Sequence, residues 1–327
     1  MAFLDSVGIT VANLDDAVSF FSRVFRSEEL ERASVGRDDP FYLRDLVGAP
    51  EQTSLEVSYL RVPHSNTILE LQEYQGIRQR TVQAAPTDIG AFHLGFYVDS
   101  VEESLDRLGL PSMGRVSPIP YGPCVGGKTA YLHGPEGVNI QLMGITRRPG
   151  GVPILANADF WIDHVGMVVD SIDTTVAFFG SLLDMPLLHR AEWRGENADY
   201  VADTLGFAHG LELDAAHMML PYDLTMLEFI EYSGCPQKRL NTTPTDIGAV
   251  HIGLAVDSLD ELVRRMAPPM VGRVVHLPTG PWGDSRSAAV RTADGVLLRL
   301  SETTRRPGDL PRMRPSAGIA VPATASA

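Results

Sequence analysis

Pro86-Thr-Asp-Ile-Gly-Ala-Phe-His93-Leu-Gly95 and Pro244-Thr-Asp-Ile-Gly-Ala-Val-His251-Ile-Gly253 are one stretch written twice, 158 residues apart. The same interval separates Thr146-Arg147-Arg148-Pro149-Gly150 from Thr304-Arg305-Arg306-Pro307-Gly308, Phe20-Phe21 from Phe178-Phe179, and Glu70 from Glu228. A constant offset over such a span means two copies of one folded unit.

Working outward, each copy divides again. The runs Ser6–Val11, His93–Val98, His164–Val169 and His251–Val256 are apolar and β-rich. Each meets Asn, Asp or Ser and then a segment with helical apolar spacing and acidic residues in its first turn. That order predicts strand, N-cap and helix, four times over. Behind each helix, short alternating runs such as Val57–Val62 with Thr67–Gln72, or Lys128–Leu132 with Val138–Leu142, predict a small antiparallel meander. The unit is α+β, and a single such sheet leaves one concave face bare, so modules should pair to cover it. The expected organisation is residues 1–150 as a first domain of two modules, 159–308 as a second, and 309–327 as an irregular Pro/Ala/Ser-rich tail.

Composition narrows the function. The 327 residues carry a net charge of −14, against the basic patch that nucleic acid requires. No stretch approaches the roughly 20 apolar residues of a spanning helix, and no polybasic run suits an anionic membrane. Met1-Ala-Phe-Leu-Asp5 has neither the basic start nor the apolar run of a signal peptide, so the expectation is a cytoplasmic protein, monomer or homodimer, with a small-molecule partner. The two cysteines, Cys124 and Cys235, occupy non-equivalent positions of the copies and make no shared disulfide or metal framework.

The pattern resembles the vicinal oxygen chelate superfamily, which includes glyoxalase I, epimerases, extradiol dioxygenases and bleomycin-resistance proteins. The carriers are Asp163-His164-Val-Gly-Met, Thr225-Met-Leu-Glu228, Gly248-Ala-Val-His251-Ile-Gly and Gly295-Val-Leu-Leu-Arg299-Leu, with equivalents 158 residues earlier, covering residues 3–308. The resemblance implies four βαβββ modules in two tandem glyoxalase-like domains, paired into cupped mixed sheets around one divalent metal. It places ligands at the opening of each module's first strand and within its last. Those positions read Ser6, His93, His164 and His251, then Glu70, Gln141, Glu228 and Arg299. Imidazole and carboxylate suit Fe, Zn, Ni or Mn. Glutamine can coordinate through its carbonyl oxygen, whereas arginine has no lone pair to offer.

Two pairings are open. Pairing within each copy assembles His164, Glu228, His251 and Arg299. Crossed pairing assembles His164, Glu228, His93 and Gln141 in one site, and Ser6, Glu70, His251 and Arg299 in the other, where Arg299 would neutralise Glu70. The crossed form is slightly favoured because it segregates the ligands cleanly. His164 and Glu228 share a site either way, with Glu228 as ligand or base. Arg299, Glu70, His217 (on the strand beside Glu228), Tyr121 and Trp282 are candidate substrate contacts. Pro-Thr-Asp-Ile-Gly reads as a shaped connection, and Thr-Arg-Arg-Pro-Gly as a solvated stop.

The resemblance implies metal-dependent, lyase- or isomerase-like chemistry of the glyoxalase type on a small oxygen-chelating substrate. Its glyoxalases and epimerases are expected to place an acid at the second module's closing position. This chain has Gln141 or Arg299 there, neither a base at neutral pH, which points to a different substrate. The alternatives are a non-haem Fe(II) extradiol-type dioxygenase and a metal-free binding or resistance protein.

Overall fold

In this computed structural model the described residues are 2–36, 41–155, 158–220, 223–266, 270–277 and 285–303. The Pro278–Gly283 segment with Trp282, the second Thr-Arg-Arg-Pro-Gly and the 309–327 tail lie outside them.

The first module runs β1 (Ala2–Thr10), α1 (Leu14–Phe25), β2 (Glu28–Val35), α2 (Tyr42–Val47), β3 (Ser54–Arg61) and β4 (Ile68–Gln75). The second runs β5 (Phe92–Val98), α3 (Val101–Leu108), β6 (Ser117–Pro118), β7 (Lys128–His133) and β8 (Asn139–Gly144). The third repeats the first as β9 (Phe160–Val168), α4 (Ile172–Leu183), β10 (Leu187–Trp193), α5 (Asp199–Leu205), β11 (Glu212–Met218) and β12 (Met226–Ser233). The fourth has β13 (Val250–Val256), α6 (Leu259–Met266), β14 (Val275–Leu277), β15 (Ser285–Arg291) and β16 (Leu297–Glu302). The strand–cap–helix order anticipated above recurs four times; the short helices α2 and α5 were not anticipated.

The helices begin where side chains satisfy their free N–H groups. Asn13, Ser100 and Ser171 accept from Asp16, Glu103 and Thr174 at 2.9, 3.3 and 3.3 Å. Glutamates near the ends of the closing strands add a second acceptor, with Glu73 taking Leu14 N, Glu231 taking Ile172 N and Glu302 taking Leu259 N at 2.8–3.0 Å. Caps of this kind contribute about 1 kcal/mol each.

Two eight-stranded sheets result. Sheet I has the order β14-β15-β16-β13-β1-β4-β3-β2, and sheet II the order β10-β11-β12-β9-β5-β8-β7-β6. Each takes four strands from each half of the chain, so the modules pair in the crossed manner. The central pairs, β1 with β13 and β5 with β9, are antiparallel, and each is flanked by parallel pairs. The Pro-Thr-Asp-Ile-Gly turns do more than connect. Ile89 pairs with Arg239, Thr81 pairs with Ile247, and Arg80 binds Asp246, so the two crossing segments strap each other.

Strand alternation then sorts the residues. On β12, Leu227 and Phe229 enter the common core while Met226, Glu228, Ile230 and Tyr232 face a cavity. On β4, Leu69 and Leu71 enter the same core while Glu70, Gln72 and Tyr74 face another cavity. The shared core joins all four modules, with Phe25 of α1 stacked on Phe96 of β5 at 4.1 Å and near Phe160 of β9 at 5.4 Å. Full burial of each such ring contributes roughly 2–3 kcal/mol. Each sheet therefore turns one face to the common core and the other to its own cavity. No helix among the described residues is long and apolar enough to cross a membrane.

Candidate metal centre

Sheet II brings four of the expected residues together. His164 lies in the middle of β9, His93 on β5, Glu228 on β12 and Gln141 on β8. The Nε2 atoms of His93 and His164 are 3.0 Å apart. Glu228 Oε2 stands 3.2 Å from His93 Nε2 and 3.5 Å from His164 Nε2, and Gln141 Oε1 is 2.9 Å from His164 Nε2. One donor atom from each of His93, His164 and Glu228 falls within 4.8 Å of the others, and all three point to a common place.

The histidines reach that place because glycines let them. His93 is paired across the sheet with Gly166, and His164 with Gly95. A Cβ on Gly166 would come within 1.8 Å of the His93 ring, and one on Gly95 within 2.1 Å of the His164 ring. No side chain could share that space, so the imidazoles lie flat over bare backbone.

Electrostatics follow from burial and neighbours. Burial disfavours the Glu228 carboxylate, but His164, His217 and His93 outweigh it and hold the group well below the usual carboxylate range. Burial would likewise lower His164, yet Glu228 and then Asp163 raise it on balance. At His93 burial prevails and the ring is pushed down toward the neutral form. Behind His164, Asp163 Oδ2 binds its Nδ1 at 2.9 Å and is itself ion-paired with Arg148 Nε at 2.8 Å. Arg148 also donates to the carbonyls of Asp163 and Leu224 at 3.1 and 2.6 Å. The first Thr-Arg-Arg-Pro-Gly is therefore no solvated stop. Arg147 is exposed, but Arg148 is buried because it supplies the countercharge for Asp163.

The centre floors a cavity of about 650 Å³. Tyr121, expected there, lines it from an exposed loop, and Tyr131, Trp193, Tyr200 and Tyr232 line it from β7, β10, α5 and β12. Burial pushes the Tyr131, Tyr200 and Tyr232 hydroxyls up, leaving them as neutral hydrogen-bonding groups. His217 is placed across from Glu228, Nε2 to Oε1 at 3.1 Å, with its Nδ1 buried and without a hydrogen-bond partner among the described residues.

Sheet I brings the remaining candidates together. Arg299 Nη1 lies 2.6 Å from Glu70 Oε1, Arg299 Nη2 donates to Ser6 Oγ at 2.9 Å, and His251 Nε2 is 3.9 Å from Glu70 Oε2. His251 thus belongs with Glu70 and not with His164. The residues that reading by motif passed over are Arg148 and Asp163 as supports, Gly95 and Gly166 as space, and the tyrosine walls. A signal for the walls was present, since Tyr42 and Tyr74 recur 158 residues on as Tyr200 and Tyr232.

The family model described as Glyoxalase/Bleomycin resistance protein/Dioxygenase superfamily matches residues 161–300. The chain is similar to a 2-epi-5-epi-valiolone epimerase from Actinomyces sp, 28% identical over 173 residues, 49% of this chain and 91% of that protein. In fold it is similar to a glyoxalase I variant from Zea mays, with a TM-score of 0.61 at 15% identity and 92% of each chain covered. A putative dioxygenase from Bacillus subtilis follows, with a TM-score of 0.52 at 12% identity, covering 93% of this chain and 86% of that one.

Proposed function

We propose that the chain is a member of the vicinal oxygen chelate superfamily, whose model matches residues 161–300, and that sheet II carries a divalent-metal centre for isomerase-type proton transfer on a small molecule with two adjacent oxygens. The observation that carries this reading is the convergence of His93 Nε2, His164 Nε2 and Glu228 Oε2 at 3.0–3.5 Å. Two imidazoles, a carboxylate and a glutamine oxygen form a donor set suited to Fe, Zn, Ni or Mn. When bound, the ion would supply Lewis-acid polarisation of a substrate oxygen, which eases loss of a neighbouring proton.

The chain's own groups do the rest. Asp163 holds the His164 ring in one tautomer with Nε2 facing the centre, the role an outer carboxylate plays at metal sites. Glu228 uses Oε2 toward the two histidines and Oε1 toward His217. His217 lines the cavity and is the group placed to take and return a proton. The neutral tyrosines offer hydrogen bonds to substrate oxygens. Similarity to an epimerase supports a proton shift beside a carbonyl over a lyase reaction. The second reading rests on the same donor set, because two histidines and one carboxylate also suit oxygen-activating iron.

Elemental analysis of the purified protein beside His93→Ala and His251→Ala is the test. The expected result is about one metal per chain, lost in His93→Ala and kept in His251→Ala. Protein without metal, indifferent to chelator, would replace the enzyme reading with a metal-free binder. In the metal-loaded protein, solvent deuterium should enter a small hydroxyketone, and His217→Phe should slow that exchange by about 10²-fold with metal retained. Oxygen uptake on a catechol without deuterium exchange would favour the oxygenase.

A further inference from the structure

Sheet I has a cavity under α2, about 490 Å³ of empty space that opens to solvent. Its floor is the Glu70–Arg299 pair with Ser6, Gln72 and His251. Compared with the metal centre, two changes remove a candidate ligand and one removes the proposed proton-transfer group. Ser6 stands for His164, Arg299 for Gln141, and Tyr59 for His217. The Arg299 guanidinium, 2.5 Å from Glu70 Oε2, supplies the positive charge that would otherwise come from an ion. The cavity is nonetheless kept open, with walls from Tyr42, Tyr59, Tyr74, Leu43, Leu55 and Val57.

A cavity retained as mere residue of duplication would be expected to fill or to satisfy its polar atoms. This one does neither. The Tyr42 hydroxyl, Arg299 Nε and His251 Nε2 are all buried, and all three lack a hydrogen-bond partner among the described residues. Each leaves a desolvation cost that a ligand's polar group can relieve. Charge defines the ligand further. Carboxylate and guanidinium cancel, and burial pushes His251 down to about 4, so it is neutral at physiological pH. A charged ligand would have to break the internal pair to find a partner.

We propose that this cavity is a second, metal-independent binding site for an uncharged ring compound bearing a hydroxyl or carbonyl group. The ring packs between the tyrosine and leucine walls. The polar group meets the Tyr42 hydroxyl and the floor. This inference does not depend on the metal reading of sheet II.

Isothermal titration calorimetry of the full chain with 4-hydroxyacetophenone, in the presence of chelator, tests it. Binding below about 1 mM is expected, weakened about fivefold in Tyr42→Phe by loss of one hydrogen bond. Leu43→Trp should abolish that event by filling the cavity, while Tyr200→Phe, the counterpart in sheet II, should change it less than about twofold. The anionic 4-hydroxybenzoate and cationic 4-hydroxybenzylamine should bind at least about tenfold more weakly. Absence of binding in the wild type overturns the proposal. So does a response to Tyr200→Phe with none to Tyr42→Phe, or equal affinity for the charged probes. Tyr42→Phe removes a single oxygen atom, so the test survives even where Leu43→Trp fails to fold.

Discussion

Thr67 and Thr225 hydrogen-bond to each other, Oγ1 to Oγ1 at 3.1 Å, and they are the same residue of the two halves. Equivalent residues in contact lie at an approximate twofold axis. The pairs around them obey it, with Leu4 N bound by Asp223 at 2.9 Å and Ile162 N by Ser65 at 2.8 Å. This axis exchanges sheet I with sheet II. Backbone symmetry about it is close, so the chemical difference between the cavities rests on a few side chains.

That difference should be reversible. In the double variant S6H R299Q, sheet I regains an imidazole and loses the internal cation beside Glu70 and His251. Metal content measured by mass spectrometry should rise from about one to about two per chain. A value that stays at one would mean that the two floors are not equivalent in geometry.

The glycines opposite the histidines should tolerate nothing larger. A methyl group at Gly95 or Gly166 would sit 2.1 or 1.8 Å from an imidazole carbon, so the ring must swing away. Gly166→Ala should lose bound metal and at least about 10²-fold in activity, since a misplacement of about 1 Å can cost that much. Stability should fall by about 1–3 kcal/mol, as for other overpacked sites. Retention of full metal content by Gly166→Ala would contradict this account of how the rings are seated.

Removing Arg148 strands a buried carboxylate. Arg148→Met should destabilise the protein by about 3–5 kcal/mol in urea unfolding, because Asp163 keeps its burial and loses its partner. Adding Asp163→Asn should restore part of that loss, a coupling that a double-mutant cycle measures. Purely additive effects would show that the ion pair is not the link between them.

His251 sets a pH signature. Its folded value of about 4 lies below the ordinary 6.5, with burial the main cause, so the unfolded chain takes up the proton first. Stability is therefore untouched above pH 6.5 and falls as the pH drops from 6.5 to 4, by about 3 kcal/mol in all. Urea unfolding at pH 7.5 and 4.5 should show this loss in the wild type. His251→Gln should flatten that part of the curve, and an unchanged slope would assign the loss to other groups.

Much of the fold was legible because its signals are local and repeated. A duplicated stretch, four strand–cap–helix openings and alternating apolar runs need only near neighbours in the chain to be read. The imidazole and carboxylate groups at 93, 164 and 228 were legible as candidates for the same reason. Helices α2 and α5 were not, since six- and seven-residue helices between strands give too little periodicity. Nor was the burial of Arg148, which depends on Asp163, fifteen residues on, being folded against it.

The order of elements and the chemistry available at each position were determined by sequence alone. Tertiary structure decided which positions meet. Modules at opposite ends of the chain close sheet I, so His251 joins Arg299 and Glu70, while His93 joins His164 and Glu228. The physical reason is that strand pairing joins edges through backbone hydrogen bonds common to every residue. Identical strand edges in four similar modules therefore carry no local label for their partner. The choice falls to what packs behind them, the stacked Phe25, Phe96 and Phe160 and the crossing turns that strap the halves together.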